Sequence, residues 1–405
     1  MRYDILIIGG GMVGASLALA LGGRALRIGL VEAVPASAAA QPSYDDRCTV
    51  LSYGTRQIFT GIGLWNALHE EAVPIQQIHV SERGRLGVTR IDCREEGVAA
   101  LGYVVANRLL GRVLVERLAA LENVDVYCPA KLFGLSIDAA NVGVKLRLPQ
   151  RTCELKARLL VAADGANSSV REQLRIPARH RDYGQAALIA NLTPELDHQN
   201  VAYERFTDTG PIALLPLSGR CCALIWTVPH AEAQRLLALD EREFFDRLEQ
   251  RFGHRLGKLE RVGKRQAYPL ALICAQAHRH PRVVLIGNAA HSLHPVAGQG
   301  FNLGLRDVAA LAELILEASD SGHDPGSAQV LKRYSEWRQA DQRRVIAFTD
   351  TLVRLFSNAF APLSVARSLG LLALDLTPCA KRALARQSMG LTGRLPRLAR
   401  GLPLR

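Results

Sequence analysis

The chain opens on a short apolar run, Asp4 to Ile8, that stops at three consecutive glycines. A half-buried strand alternates apolar and polar positions, whereas an unbroken run needs cover on both faces, as in a parallel sheet. Met12 to Leu21 is helix-forming and Arg27 to Glu32 is apolar again, so the pattern predicts strand, turn, helix and strand. Ala33 to Pro42, rich in Ala, Pro and Ser, predicts a loop. In Leu109 to Leu121 the residues Leu110, Val113, Leu114, Leu118 and Leu121 fall at helical spacing. Two further runs stop at small polar residues: Leu159 to Ala163 at Asp164-Gly165, and Val283 to Ile286 at Gly287-Asn288. Both predict parallel strands whose carboxyl ends face a ligand. Between them Ala186 to Leu192, Val201 to Phe206, Ile212 to Leu217 and Cys221 to Val228 read as separate strands, and helices return after Asn302. The expected fold is α/β: a Rossmann-like unit interrupted by a β-rich insertion, with C-terminal helices.

Length and charge refine this outline. With 405 residues there is material for two or three domains. No run of 18 apolar residues predicts a membrane span. Met1-Arg2-Tyr3-Asp4 leads into the first strand without a signal-peptide pattern, which makes a cytoplasmic location the default expectation. The eight cysteines form no C-x-x-C pair or Cys/His cluster, so free thiols and no metal site are expected. The net charge is +12, and after Asp375 no acidic residue follows, while Lys381, Arg382, Arg386, Arg394, Arg397, Arg400 and Arg405 do. No nucleic-acid motif accompanies them, so the basic tail points to an anionic lipid surface or to plain solubility.

Gly9-Gly10-Gly11-Met12-Val13-Gly14 spells G-x-G-x-x-G between a strand and a helix. Gly9 permits the turn, Gly11 lets the main chain approach a pyrophosphate at the helix N-terminus, and Gly14 allows close helix–strand packing. Glu32, ending the second strand, is placed to accept ribose hydroxyls. No second fingerprint of this kind follows, so one dinucleotide has a dedicated site.

Asp164-Gly165-Ala166-Asn167-Ser168-Ser169-Val170-Arg171 gives D-G-x-x-S-x-x-R, and Gly287 to Pro295, Gly298 to Asn302 and Arg306-Asp307 follow. In this order the motifs resemble the class A flavoprotein aromatic hydroxylases, the p-hydroxybenzoate hydroxylase superfamily. Tyr203-Glu204-Arg205-Phe206, Gly210-Pro211, Leu215-Pro216-Leu217, Tyr268-Pro269-Leu270 and Ala297 to Gly304 carry a closer resemblance to its ubiquinone-biosynthesis branch, nearest to the 2-octaprenyl-6-methoxyphenol hydroxylases. The resemblance implies FAD bound through Gly9, Gly11, Gly14, Glu32, Arg47, Arg112, Asp164, Asn288, Gly300, Phe301 and Asn302. It implies an FAD-binding unit over 1–75, 106–178 and 276–340, a substrate domain over 76–105 and 179–275, and C-terminal helices with the basic tail over 341–405. The family pattern has Asp where this chain has Asn288, which softens the electrostatics there without removing hydrogen-bonding capacity.

The activity so implied is monooxygenation of a polyprenylated methoxyphenol through a flavin C4a-hydroperoxide, with molecular oxygen as co-substrate and NAD(P)H as the usual reductant. The flavin does the chemistry while the protein orients the ring and excludes water, so no catalytic side chain is singled out. Pro211, Ile212, Leu214, Pro216 and His294 are the expected pocket residues, His294 with a weak acid/base role in view and His291 read as structural. A polyprenyl tail partitions into lipid, so a peripheral position on the inner membrane and contact with other quinone-biosynthesis proteins are expected partnerships. The basic tail, or the apolar, arginine-bearing segment Phe348 to Leu376, is the expected lipid-facing part. Plainer alternatives stay open: Arg47 and Arg112 as surface arginines, Asp164 as a turn residue, and Phe348 to Leu376 as ordinary packed helices. Two other functions also remain: hydroxylation of another phenol or ring position, and a flavoprotein partner without that activity.

Overall fold

The computed structural model describes residues 1–36, 41, 47–356 and 361–404, without the side chains of 361–364. Asp45, Asp46 and Arg405 lie outside the described residues, as does much of the loop expected over 33–42. The chain runs β1 (Arg2–Ile8), α1 (Met12–Ala20), β2 (Ile28–Val31), β3 (Cys48–Ser52), α2 (Tyr53–Gly61), α3 (Trp65–Leu68), β4 (Val73–Ile75), β5 (Gln77–Glu82), β6 (Val88–Asp92), β7 (Gly102–Ala106) and α4 (Asn107–Ala119). It continues with β8 (Val124–Tyr127), β9 (Lys131–Ile137), β10 (Val142–Arg147), β11 (Thr152–Ala162), α5 (Ser169–Gln173), β12 (Ala178–Pro194), β13 (Val201–Thr207), β14 (Gly210–Pro216), β15 (Cys222–Pro229), α6 (His230–Ala238) and α7 (Glu241–Phe252). Last come β16 (Leu259–Val262), β17 (Gln266–Ala275), β18 (Arg279–His280), β19 (Val283–Leu285), β20 (His291–Ser292), α8 (Gln299–Asp320), α9 (Ala328–Phe356), α10 (Ala361–Leu376) and α11 (Pro378–Ser388).

The unbroken apolar runs of β1, β2, β11 and β19 sit in one parallel sheet with β8, in the order β19-β11-β1-β2-β8. Cover comes from both sides: α1, α4 and α8 pack on one face, and the antiparallel extension β9–β10 shares a second core with the other. Register puts the strand ends at one level. Ile8 pairs with Ala162 and Val31, and Ala162 pairs with Leu285, so every loop that follows starts from the same edge.

The four strands expected between 186 and 228 form the centre of a second sheet, β20-β17-β12-β15-β14-β13-β5-β6, with β16 alongside. Helices α6 and α7 cover its outer face through Trp226, Phe244 and Leu248. A small sheet, β3-β7-β4, bridges the two larger ones.

The basic C-terminal segment is docked on the molecule. After α11 it returns to the first layer, where Leu398, Ala399 and Leu404 join the core beneath α2 and α8. Arg394 stacks on Trp337 at 4.1 Å, Arg397 takes Glu313 through its main-chain N–H at 2.7 Å, and Leu404 O accepts from Arg24. Burying leucines outweighs solvating the intervening arginines, and the basic side chains are spread along a docked strap.

Candidate active site

Four loops leave the common edge of the parallel sheet, and main-chain contacts lock them together. Gly9 has φ +103°, and a Cβ there would lie 2.4 Å from Ala163 O and 2.7 Å from Asp164 N. A Cβ on Gly14 would lie 1.9 Å from Gly9 O. Gly287, at φ +56°, and Gly304 both face the methyls of Val13, where a Cβ would come within 3.1 Å. Arg171 then ties two motifs by donating to Ala166 O at 2.6 Å and Ala289 O at 2.9 Å.

The acidic side chains at this edge hold its loops. Glu32 accepts from Gly10 N at 2.7 Å and Val34 N at 2.8 Å, which turns its carboxylate toward the glycine turn. Asp164 accepts from Ser169 Oγ at 3.0 Å and Val170 N at 3.1 Å with one oxygen. Its other oxygen, Oδ1, is buried without a partner among the described residues. A buried orphan acceptor beside a glycine turn and the N-terminus of α1 suits a ligand that donates hydroxyl protons and carries phosphate.

Helix α8 supplies the second half of the site. Ala297 and Gly298 are left-handed, at φ 56° and 60°, and aim the start of this 22-residue helix at a cavity of about 360 Å³. Asn288, Gly300 and Phe301 line it from one side, Arg47 from its mouth, and Pro211, Ala213 and Leu215 from the second sheet. A Cβ on Gly300 would meet open space. Asn302, expected to offer a ligand its main-chain N–H, uses its side chain inside the protein. Its side chain donates to Val50 O at 2.8 Å and Gly298 O at 2.7 Å and accepts from Ser52 N at 2.8 Å. That leaves its main chain alone to face a ligand. Free N–H groups at a long helix's first turn favour an electron-rich ring edge that gains negative charge.

Arg47 lies over the Tyr268 ring at 4.7 Å and borders both this cavity and a neighbouring cleft of about 730 Å³. Arg112 lies in the wall of that cleft with Arg108 and Lys264, paired to exposed Glu71 at 3.0 Å. The structure does not bring Arg112 to the 360 Å³ cavity.

A separate apolar cavity of about 430 Å³ lies between the second sheet and α9, α10 and α11. Ile91, Leu101, Phe348, Leu352 and Leu371 are among its walls, and five residues border both cavities: Val50, Ile75, Ile78, Ala297 and Glu204. Glu204 is the only acid among them and was not singled out from sequence, where one carboxylate in a strand reads as a solvent-facing position. Burial pushes its carboxyl up to about 7, partly offset by a hydrogen bond from Ala297 N–H.

Four expected pocket residues face elsewhere. Ile212 and Leu214 are buried in the core under α6 and α7, and the alternate positions Pro211, Ala213 and Leu215 line the cavity instead. Pro216 follows the Ile212 parity and lines neither cavity. His294 is buried against the edge of Tyr183, with ring centroids 5.4 Å apart, and its Nδ1 accepts from Val296 N. Burial pushes its imidazole down to about 4, so it is neutral at pH 7. His291 bonds Asp307 at 2.7 Å. Burial alone would raise the Asp307 carboxyl, but His291 and Arg338 outweigh it and hold it well below the usual range. That buried network also receives Gly287 N–H and fixes the loop before Asn288.

A family model described as an FAD binding domain matches residues 2–349. Ubiquinone hydroxylase UbiL of Rhodospirillum rubrum is 39% identical, over 99% of this chain and 93% of that protein. The 3-demethoxyubiquinol 3-hydroxylase of Escherichia coli is 32% identical, over 96% of this chain and 98% of its own length. Among solved structures, p-nitrophenol 4-monooxygenase PnpA of Pseudomonas putida superposes with a TM-score of 0.80 at 21% identity, covering 96% of this chain and 98% of that one. The last likeness concerns the fold. With these matches, the glycine turns, Glu32, the Asp164 orphan oxygen and the α8 N-terminus are the parts that fit FAD.

Proposed function

Because this chain belongs to the FAD-dependent monooxygenase family that holds the ubiquinone hydroxylases, we propose that it hydroxylates the ring of a polyprenylated methoxyphenol on the way to ubiquinone. Bound FAD supplies the activation of molecular oxygen, with NAD(P)H as its reductant. The chain's own residues do the rest. Gly9, Gly11, Gly14, Glu32 and Asp164 hold the adenosine and pyrophosphate end, Arg47 and Arg112 neutralise phosphate charge along the cleft, and Asn288, Gly300, Phe301 and the main chain of Asn302 border the ring end. Leu215, Ala213, Pro211 and Ile75 hold the phenol in an apolar, water-poor space.

One observation carries this reading: the 430 Å³ apolar cavity shares five wall residues with the flavin-side cavity and suits a greasy tail. The test is single-turnover reaction of the FAD-loaded, reduced protein with a short-prenyl methoxyphenol under ¹⁸O₂. Incorporation of one labelled oxygen into the ring is expected, and its position on the ring is read from the same spectrum. Flavin oxidation without labelled product would sink the reading.

The proposed lipid-facing part is α10. Its inner face, through Arg367, Leu371 and Leu374, roofs the apolar cavity. Its outer face carries Val365, Leu369, Leu372 and Leu376 in an exposed stripe, and the β5–β6 turn beside it presents Leu86, 96% exposed, next to Arg83 and Arg85. No helix among the described residues is long and apolar enough to cross a membrane. An apolar stripe beside cations suits a bilayer surface rich in anionic lipid, and a tail rising under α10 passes from that surface into the cavity. Leu369→Glu with Leu372→Glu should weaken sedimentation with anionic vesicles while turnover of a soluble short-chain phenol persists.

A further inference from the structure

Glu204 stands on β13 between Val80 of β5 and Ala213 of β14. Alternation puts it on the cavity side with Ala202 and Phe206, and turns Tyr203 and Arg205 to the other face. Its surface is half-buried, and what is exposed faces the two cavities it lines. Four of the five residues at the junction are apolar or small, so a ring crossing it meets one group able to exchange a proton. The other charges around it are accounted for. Arg367, from α10, is paired to Glu82 at 3.0 Å, and Arg47 lies over Tyr268. His79 sits on the opposite face with Arg90, Arg205 and Arg255 near it. Helix α9 offers only Phe348, Leu352, Leu355 and Phe356 to the cavity, α8 offers Gln299 and Asn302, and α11 offers Ser388.

We propose that Glu204 is the base that takes the phenolic proton of the ring being hydroxylated; the assignment rests on the phenol-hydroxylase reading above. The phenol O–H bond breaks, an O–H bond forms on the carboxylate, and the electron pair stays on the phenolate oxygen. Ring carbons ortho and para to that oxygen become more electron-rich, which is what an electrophilic oxygen donor requires. No oxidant or reductant enters this step. The hydrogen bond from Ala297 N–H fixes one carboxylate oxygen and ties the base to the left-handed turn that starts α8. Base and helix N-terminus are thereby positioned by the same turn, Ala297-Gly298. Burial raises this carboxyl toward neutrality, which makes the carboxylate a stronger base than one in water.

The experiment compares FAD-loaded wild type with Glu204→Gln, which keeps an acceptor for Ala297 N–H, and Glu204→Asp, which keeps a retracted carboxylate. Wild-type kcat/KM should fall tenfold per pH unit below about 7. Glu204→Gln should be slower by about 10²–10⁴-fold with that limb absent, and Glu204→Asp intermediate with the limb kept. The loss in Glu204→Gln should shrink for a fluorinated phenol already ionised at the assay pH. A binding assay judges the residue without turnover: wild type should prefer the phenol over its methyl ether by about tenfold above pH 7, and Glu204→Gln should lose that preference. A Glu204→Gln protein that retains the acid limb, or the same preference for phenol over ether, overturns the assignment. Failure of wild type to hydroxylate any phenol would instead count against the parent reading, and the binding comparison would still decide whether Glu204 meets the phenol.

Discussion

The glycine-built cofactor cleft at the edge of the parallel sheet and the apolar cavity under α10 are built by opposite means. The cleft is made of main chain. Gly9 against Ala163, Gly14 against Gly9, and Gly304 against Gly287 leave no room for side chains. The cavity is made of side chains from two sheets and four helices, and most of its apolar ones can be exchanged for another apolar group of similar volume. A site built from main chain forces particular residue types at fixed spacing. A site built from side chains asks only for volume and polarity in the right places.

The largest expected effect breaks the cleft. In Gly14→Val the new Cβ would overlap Gly9 O, so purified protein should lack FAD and lose more than about 3 kcal/mol of stability, read as flavin content and denaturant midpoint. Next comes a parity test on β14. Leu214→Ala should cost about 2–4 kcal/mol with little change in KM, because Leu214 is core. Leu215→Ala should cost less in stability and raise KM, because Leu215 lines the cavity.

A smaller effect sits at the shared wall. Since the folded carboxyl of Glu204 is raised to about 7, its ionisation costs stability, a cost that starts as pH rises above the ordinary carboxylate value of 4.5 and is complete above 7. Glu204→Gln escapes it and should be stabler by about 2 kcal/mol at pH 8, with no advantage at pH 4, in chemical denaturation at the two pH values. The smallest is Asn288→Asp, which should keep FAD and lower its reduction potential, since a carboxylate beside the flavin ring disfavours the reduced anion.

The same contrast explains which parts were legible in the sequence. Glycines at Gly9, Gly11 and Gly14, with Glu32 and the Asp164-Gly165 and Gly287-Asn288 strand ends, mark the cleft because only those residue types fit there. On β14 every position from Pro211 to Pro216 is apolar or small, so a period of two carries no phase, and Ile212 and Leu214 were expected on the wrong face. What the Asn302 side chain does was not legible: it holds β3, a contact across 250 residues of chain. That the basic tail docks on the first layer was not legible, because its charge was counted and its leucines were not. Leu398 and Leu404 decide where that segment goes, and the membrane proposal moves from the tail to α10.

The strand order of the parallel sheet also sets a clock. β1 lies between β2 and β11, and β19 closes the far side of β11. A ribosome making roughly 5–20 residues per second delivers β19 some 15–60 seconds after β1. Through that interval the nascent chain holds Gly9 and Glu32 ready while the loop bearing Asn288 and the start of α8 do not yet exist. FAD capture is therefore a late event in synthesis. An overproduced chain short of flavin or chaperone in those seconds should accumulate as aggregate, with the unpaired edge of β11 as the exposed template.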